Sequence, residues 1–350
     1  MEEIKLTQFS HGAGCGCKIS PKILDQILHS NFTLPDNKKL LVGNDAKDDA
    51  AVYELENGKA LISTTDFFMP IVDDPYKFGR IASANAISDV YAMGGDPIMA
   101  IAILGWPINT ISPAIAKRVI EGSKSICLEA GIPLAGGHSI DSPEPIFGLA
   151  VNGLVDVKNL KKNNTAKEGD YLFLTKRVGV GILTTAEKKG LLLNNELTLA
   201  AEQMMKLNKI GSVLGKKSYV TAMTDVTGFG VLGHLVEMAE GSSLSAELYF
   251  DSIGLVTENL TNYIKKGSIP GGTIRNWDSY GHKVLLPDVE DKEIKKIILA
   301  DPQTSGGLLV AVKPEAINTM MELLNDYDLQ DFVKPIGRIV SKRGYVIEVN

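Results

Sequence analysis

Residues 78–95 read FGRIASANAISDVYAMGG and indicate how the first half of this chain folds. The segment is rich in alanine and isoleucine and ends at Gly94-Gly95, which is typical of a helix with a glycine C-cap. Asn85 and Asp89 are spaced i, i+4, so they lie on one face of that helix. Because an unpaired carboxylate is costly to bury among apolar side chains, we expect Asp89 to meet a cation.

The segments on either side of this helix predict strands and a second helix. In chain order they are strands at residues 51–55 and 60–65, joined by the turn Asn57-Gly58 and ending at Asp66, a strand at 97–106, a helix between Ser112 and Gly131, and strands at 134–141 and 146–155. The strand at 97–106 is apolar and is expected to be buried, and the strand at 134–141 is expected to run into a glycine turn. This order indicates an α/β or α+β fold, with helices on one face of a sheet.

A chain of 350 residues is long enough for two domains. Residues 156–170 are polar and rich in lysine and asparagine, which predicts a boundary between domains at 21–156 and 170–350. In the second domain, an apolar strand delivers Asp225 to a glycine turn that opens a helix. Such turns bind anions, because backbone N–H groups and the helix dipole face the ligand.

The composition argues against several classes of protein. The net charge of −6 makes nucleic acid an unfavourable partner, since that binding depends on clustered lysine and arginine. The most apolar run is about half as long as a membrane helix requires, so we expect no membrane association and a cytoplasmic location. The three cysteines offer no disulfide framework and are expected to be reduced thiols.

The first domain concentrates aspartates beside its predicted turns. They are Asp45, Asp48, Asp49, Asp66 and Asp89. Any one of them alone is more often a turn or capping residue than a ligand. Together they offer the oxygen ligands that select Mg²⁺, which commonly binds one or two carboxylates and substrate phosphates. Lys18 and Lys47 could then neutralise phosphate oxygens. The sequence has no G-x-x-x-x-G-K-[ST] loop, which excludes a Walker-type ATPase.

A glycine- and cysteine-rich strip occupies residues 11–18 and reads HGAGCGCK. It is expected to be mobile, within an N-terminal segment at 1–20, because so many glycines cost folding entropy and bury little. The thiols of Cys15 and Cys17, near a metal-polyphosphate site, suggest a nucleophile or carrier delivered to a phosphate. Simpler interpretations are a disordered N-terminus with chance cysteines, a soft-metal site or a redox site. Cys127 has helical spacing and is expected to be a buried hydrophobe.

The strip and six further motifs, taken together, resemble the selenophosphate synthetases (selenide, water dikinases). The further motifs are DDAAV at 48–52, TDFF at 65–68, NAISD at 85–89, AGGHS at 135–139, TDVTGFG at 224–230 and DPQTSGG at 301–307. The resemblance covers nearly the whole chain in the same order. Looser forms occur in aminoimidazole ribonucleotide synthetase, thiamine-monophosphate kinase and a hydrogenase-maturation protein, so the strip is what singles out this family. Some members carry selenocysteine at the position of Cys15.

The resemblance implies that ATP, hydrogen selenide and water are converted to selenophosphate, phosphate and AMP. It implies an aminoimidazole ribonucleotide synthetase-like fold, with an N-terminal sheet that dimerises into a barrel-like core beside the ATP groove and a C-terminal α+β domain. It also implies Mg²⁺, with K⁺ as a second candidate cation, a homodimer, and a selenium-delivery protein as a candidate partner.

The site residues implied by the resemblance follow from the matching motifs. Asp49, Asp89 and Asp225 resemble the Mg²⁺ ligands, and Cys15 and Lys18 resemble the catalytic residue and its essential companion. The positions that match nucleotide contacts are Lys18, Ala46, Lys47, Asp48, Asp66, Asp89, Gly137, His138 and Ser139. The last three match a segment that reaches the nucleotide from the dimer partner. From the residues alone, His138 is explained equally well as a structural turn residue.

Two alternatives remain open on the sequence. A kinase of the same superfamily, acting on a small alcohol or amide, would use the aspartates and would not need Cys15. A thiol-based selenium or metal carrier would use the cysteines and would not need the aspartates. Only a synthetase uses both sets of residues.

Overall fold

The computed structural model describes residues 4–17, 23, 26–27, 37–43 and 48–350, without the side chains of Cys15 and Cys17. The sequence also predicts a helix that begins at Ser20-Pro21, with Ser20 as the N-cap, and this helix lies almost wholly outside the described residues. The described residues form two sheets, one in each half of the chain, and helices pack against both. This mixed architecture confirms the predicted fold class.

The first sheet lies in the first half of the chain. Its strands are β1 (Leu40–Val42), β2 (Ala51–Glu54), β3 (Lys59–Phe68), β4 (Asp96–Trp106), β5 (Leu134–Asp141) and β6 (Ile146–Asp156). They are ordered β1-β2-β3-β6-β4-β5, with β4 and β5 parallel and the other neighbours antiparallel. The predicted hairpin is β2–β3, and Asn57 and Gly58 in its turn have the positive φ values (60° and 69°) that such turns favour.

Two helices, α1 (Pro75–Ala92) and α2 (Pro113–Ala130), belong to this half. The carboxylate of Asp74 caps α1 by accepting two backbone N–H groups of its first turn, at 2.7 and 3.2 Å. Ser112 caps α2 and Gly131 ends it at φ 78°, as the sequence predicts. Nearly all of α1 is buried, because it packs on β3 and β6 and is also contacted by the second half of the chain.

The second sheet is built from the strands of the other half. They are β7 (Tyr171–Leu174), β8 (Val220–Asp225), β9 (Ser245–Leu248), β10 (Val284–Leu285), β11 (Leu308–Val312), β12 (Gly337–Val340) and β13 (Ile347–Val349). Their order is β10-β13-β9-β12-β7-β11-β8, so β8, which carries Asp225, is an edge strand. The α-helices of this half are α3 (Val180–Lys188), α4 (Leu199–Met204), α5 (Ile210–Gly215), α6 (Gly230–Gly241), α7 (Leu260–Lys265), α8 (Gly271–Tyr280), α9 (Lys292–Leu299) and α10 (Ile317–Asp326). No helix in the described ranges is both long and apolar enough to span a bilayer.

Polar side chains connect the two halves along α1. Asn208 donates from Nδ2 to Ser88 Oγ on α1 and to the carbonyl oxygen of Gly306, both at 2.8 Å. The hydroxyl of Ser212 donates to the carbonyl oxygen of Gly95 at 2.6 Å. These groups are buried, so each bond satisfies a donor that would otherwise be costly to bury. The halves therefore meet on the helix that carries Asp89.

Three sequence expectations need correction. Asp66 lies within β3 and not at its end, because β3 pairs with β6 as far as Phe68. The apolar strand predicted at 97–106 is only partly buried, since alternate side chains of β4 point away from α1 and α2, and Ile101 is 40% exposed. Gly136 and Gly137 form no turn but lie inside β5, where the register with β4 shifts.

Cys127 is buried as expected, and burial raises the pKa of its thiol to about 11.

The crossing of α1 and α2 gives a stability prediction. A Cβ atom at Gly79 would lie 1.9 Å from the carbonyl oxygen of Val119, which is backbone and cannot move aside cheaply. We expect Gly79→Ala to lower the free energy of unfolding by about 3 kcal/mol, the upper end of the cost of overpacking. Gly344→Ala is the matched control, because nothing lies within 4 Å of the added methyl group. Urea unfolding of both variants tests this, and equal stability of the two variants would contradict the tight crossing.

Candidate active site

Four aspartates from both halves of the chain meet beside the β2–β3 hairpin. Asp48 and Asp49 precede β2, Asp89 lies on α1, and Asp225 is the last residue of β8. Their proximity is evident in the electrostatics, because the charges of Asp225, Asp48 and Asp89 all raise the pKa of Asp49. Carboxylates that are far apart along the sequence therefore form one negatively charged cluster.

Two threonine hydroxyls donate hydrogen bonds to carboxylates of this cluster. Thr224 Oγ1 donates to Asp49 Oδ1 at 2.8 Å, from the second half of the chain to the first. Thr64 Oγ1 donates to Asp89 Oδ2 at 2.5 Å and lies 3.5 Å from the carbonyl oxygen of Asp49. Thr64 can reach α1 because successive side chains of β3 alternate between the two faces of the sheet. The cluster is thus ordered by neutral donors.

The cluster is costly to keep ionised. Burial raises the pKa of Asp49 well above its usual range, and the three neighbouring negative charges add to this effect. Burial also raises the pKa of Asp48 to about 6, although the backbone N–H groups of Asp49 (3.1 Å) and Asn163 (3.3 Å) donate to its carboxylate. A bound divalent cation would offset this repulsion.

The donor set fits Mg²⁺. Asp49 Oδ2 is buried and has no hydrogen-bond partner among the described residues, which is unusual for a buried oxygen and points to a ligand. Within the described part of the chain, no three or more His, Cys, Asp or Glu side chains form a cage that could hold a metal ion. Mg²⁺ seldom needs such a cage, since it keeps waters and takes one or two carboxylates together with substrate phosphates. The assignment of Asp49, Asp89 and Asp225 as ligands stays a prediction.

Asn85 connects Asp66 to the loop at 301–307. Asn85 Nδ2 donates to Asp66 Oδ2 at 2.5 Å, and Asn85 Oδ1 accepts the backbone N–H of Ser305 at 2.7 Å. Ser305 has φ 50°, a left-handed conformation that is uncommon for a residue with a side chain. Backbone strain of this kind persists only where the surroundings fix the residue in that conformation. Here Asn85 of α1 fixes Ser305 by accepting its backbone N–H.

A buried lysine interacts electrostatically with Asp225. Lys176 Nζ donates to the carbonyl oxygens of Lys206 at 2.7 Å and of Ser305 at 2.8 Å. Burial lowers the pKa of Lys176 to about 7, and the charge of Asp225 acts in the opposite direction. The sequence alone does not reveal the role of Lys176, because nothing in the local sequence distinguishes it from the many exposed lysines.

The strip contacts both halves of the chain. Gly14–Cys17 forms a 3-10 turn, and the N–H of Gly14 donates to the carbonyl oxygen of Met69, the residue after β3, at 3.1 Å. The carbonyl oxygen of Gly16 accepts from Arg275 Nη2 at 2.6 Å. His11 Nδ1 lies 2.8 Å from Glu144 Oε1. The described part of the strip therefore lies against the body of the protein, and its mobility stays a prediction.

The other predicted site residues divide into two groups. Lys18, Ala46 and Lys47 lie outside the described residues, so their roles stay predictions. Gly137, His138 and Ser139 lie on β5, an edge strand, and are exposed, opposite Ala102, Ile103 and Leu104 of β4. Their expected contact with nucleotide needs a second subunit, and it also stays a prediction.

The threonines that order the cluster were also missed as functional residues. One signal was present, since the dipeptides Thr65-Asp66 and Thr224-Asp225 occur at similar places in the two halves. In the structure Thr224 does contact the cluster, whereas in the first half the contact is made by Thr64, because Thr65 lies on the opposite face of β3.

Comparison with known proteins places the chain in a family. Residues 47–155 match "AIR synthase related protein, N-terminal domain", and residues 167–350 match "AIR synthase related protein, C-terminal domain". Selenide, water dikinase of Pseudomonas putida is 57% identical over 348 residues, which cover 99% of each chain. Selenide, water dikinase of Photobacterium profundum is 60% identical over 316 residues, 90% of each chain.

Solved structures share the fold at low sequence identity. Thiamine monophosphate kinase from Aquifex aeolicus has a TM-score of 0.66 at 17% identity, covering 94% of this chain and 95% of that one. Hydrogenase maturation protein HypE in complex with ATP has a TM-score of 0.64 at 17% identity, covering 90% and 87%. These matches confirm the predicted aminoimidazole ribonucleotide synthetase-like fold. The two domain matches, together with the relatives that align over nearly the full length, show that this chain belongs to the selenide, water dikinase family of AIR synthase related proteins.

Proposed function

We propose that this protein makes selenophosphate from ATP, hydrogen selenide and water and releases AMP and phosphate. One observation carries the proposal: β3 brings the aspartate cluster and the thiol strip together. Thr64 on this strand contacts Asp49 and Asp89, and Met69, the residue after the strand, holds Gly14 of the strip. Five residues of extended chain span about 17 Å, comparable to the length of a nucleoside triphosphate.

The aspartates could hold cations that neutralise the polyphosphate charge in this reaction. Transfer of a phosphoryl group and hydrolysis of a second anhydride depend mainly on positioning and on neutralising charge. Asp49, Asp89 and Asp225 would hold Mg²⁺, which would screen the charge on the polyphosphate oxygens and make the phosphorus atoms better electrophiles, with K⁺ as a second candidate cation. Asp48, Asp66, Ala46 and Lys47 would bind the nucleotide.

The strip would handle selenium. A thiolate is soft and polarisable, and the ammonium of Lys18 would raise the thiolate fraction of Cys15. Placed over the phosphate, the strip would also exclude water from the first transfer. A thiol and a selenide both require reducing conditions, which supports a cytoplasmic location and, for so reactive an anion, a selenium-delivery protein as partner.

The products of ATP distinguish the proposal from its alternatives. With Mg²⁺ and selenide, a synthetase gives AMP, a small-molecule kinase gives ADP, and a carrier gives no turnover. Separation of the nucleotides by anion-exchange chromatography, with and without selenide, tests this. Formation of ADP as the end product would refute the proposal in favour of the kinase.

We also propose that the free face of the first sheet forms a homodimer. Large apolar side chains are exposed there, among them Phe67 (50%), Met99 (38%), Ile101 (40%) and Ile140 (60%). Burying such a patch against its copy would stabilise association. The same contact would carry Gly137, His138 and Ser139 of β5 toward the nucleotide of the partner subunit.

A charge on this face should weaken the dimer. We expect Ile101→Lys to raise the dimer Kd at least about 30-fold, because an ammonium would be buried in an apolar contact. Leu128→Lys is the control, since Leu128 lies on α2 and is already 80% exposed. Sedimentation equilibrium gives both constants. A wild-type protein that stays monomeric at all concentrations would overturn the dimer.

A further inference from the structure

A polar contact joins α8 to the strip. Arg275 Nη2 donates at 2.6 Å to the carbonyl oxygen of Gly16, the peptide group between the two cysteines. Arg275 itself is exposed, so its guanidinium keeps access to water while it makes this bond. A charged donor makes a stronger hydrogen bond than a neutral one, and here it acts on backbone that carries no side chain of its own.

The helix that carries Arg275 is fixed to the turn that follows Asp225. Asn276 Nδ2 donates to the carbonyl oxygens of Gly228 at 2.8 Å and of Ala300 at 3.0 Å, and Asn276 is buried. At the start of α8, a Cβ atom on Gly272 would lie 3.0 Å from Pro302 Cγ and 3.6 Å from the Gly16 carbonyl oxygen. The strip therefore rests on a rigid surface that is continuous with the Asp225 turn.

The other end of the 3-10 turn is held by the first half of the chain. Gly14 has φ 51° and bonds Met69 through its N–H, and a Cβ atom there would lie 2.5 Å from both Ile71 Cδ1 and Thr304 Oγ1. Gly14 is thus confined by packing, whereas a Cβ atom at Gly16 would come no nearer than 3.7 Å to Pro302 among the described residues. The polar contact of the Gly16 carbonyl group with α8 is therefore the bond from Arg275.

We propose that Arg275 is a positioning residue that fixes the Cys15–Cys17 backbone over the site through the Gly16 carbonyl group. This inference rests on the function proposed above, since it assigns Arg275 to the thiol half of that site. A displacement of about 1 Å of a reacting group can cost about 100-fold in rate. Loss of the bond should therefore slow the selenium step and leave ATP binding, which depends on the aspartates, nearly unchanged.

The test compares Arg275→Ala, Arg275→Lys and Arg338→Ala. Arg338 is an exposed arginine in the same half of the chain, and its partner Glu247 keeps a second arginine, Arg343, when Arg338 is removed. For Arg275→Ala we expect kcat for selenide-dependent AMP formation to fall about 30- to 100-fold. The KM for ATP should stay within about twofold, and lysine should restore part of kcat, because it keeps the charge and one donor.

Hydrogen exchange of a peptide spanning residues 11–17 gives a readout that does not depend on activity. We expect exchange at this peptide to be at least about tenfold faster in Arg275→Ala than in wild type and in Arg338→Ala. Unchanged exchange, or a kcat equal to that of Arg338→Ala, would overturn the positioning role. If wild type forms no AMP with selenide but the exchange difference is present, the proposed function is wrong, whereas the positioning of the strip by Arg275 is confirmed.

Discussion

Replacing Asp49 with asparagine should abolish ATP turnover and leave the protein folded. The side chain keeps its size and can still accept from Thr224, but the cluster loses one of the charges that would hold Mg²⁺. Metal-assisted charge neutralisation contributes several kcal/mol to such reactions, so we expect kcat to fall at least about 1000-fold. Asp89→Asn and Asp225→Asn should behave in the same way.

The same substitution should change how stability depends on pH in the absence of metal. A carboxyl group whose pKa is raised in the folded protein binds a proton more readily there than in the unfolded chain, so the free energy of unfolding falls as pH rises through that window. For Asp48 the window runs from its ordinary value of 3.8 to about 6, and for Asp49 it extends well above the ordinary value. Asp49→Asn should therefore flatten this fall and make the metal-free protein more stable at pH 8 than wild type.

Thermal unfolding with and without Mg²⁺ checks both parts. Wild type and the exposed control Asp326→Asn should gain stability from Mg²⁺ with ATP, and Asp49→Asn should gain little. Near-normal turnover in any two of the three aspartate variants would contradict the metal assignment. A metal-free Asp49→Asn protein that is less stable than wild type at pH 8 would contradict the repulsion argued for the cluster.

Cys15→Ser should bind ATP and Mg²⁺ normally and make no selenophosphate. Serine keeps the size and the hydrogen bonding of cysteine, but its hydroxyl stays protonated at neutral pH and is a hard nucleophile, whereas a thiolate is soft. We expect selenide-dependent product to fall at least about 100-fold. Cys17→Ser should retain most of the activity, because the motif match assigns the catalytic role to Cys15.

Equilibrium dialysis with ATP and a selenide-dependent product assay separate binding from chemistry in these variants. The pair is a matched control, since both cysteines lie in the same 3-10 turn with Gly16 between them. Full selenophosphate formation by Cys15→Ser with selenide as donor would show that the strip is at most a lid. Equal losses in both variants would show that the turn, and not one thiol, is what the reaction requires.

Much of the fold could be predicted from local sequence. The α1 segment, the Asn57-Gly58 hairpin and the caps of α2 at Ser112 and Gly131 all follow from short-range rules, and the structure confirms them. The errors lie where tertiary pairing decides. The sequence predicts Asp66 at a strand end, because it does not show that β6 extends the pairing of β3. It predicts a buried β4, because composition does not report which face of the sheet a helix covers.

The site residues also divide into those that the sequence reveals and those that depend on tertiary contacts. Asp49, Asp89 and Asp225 stood out from the sequence because each lies beside a predicted strand end or among apolar residues. Lys176, Thr64 and Arg275 did not, because their roles depend on contacts with segments far away in the chain. Arg275 and Gly16 are separated by 259 positions. No local pattern encodes such a contact.

The central claim is that one site uses the aspartates and the thiol strip together to form a phosphorus–selenium bond. Phosphorus NMR of the wild-type protein with ATP, Mg²⁺ and selenide enriched in selenium-77 tests it most directly. We expect AMP, phosphate and a species with a phosphorus resonance split by coupling to selenium, in equal amounts and dependent on selenide. ADP without a selenium-coupled resonance, or consumption of ATP that does not depend on selenide, would contradict it.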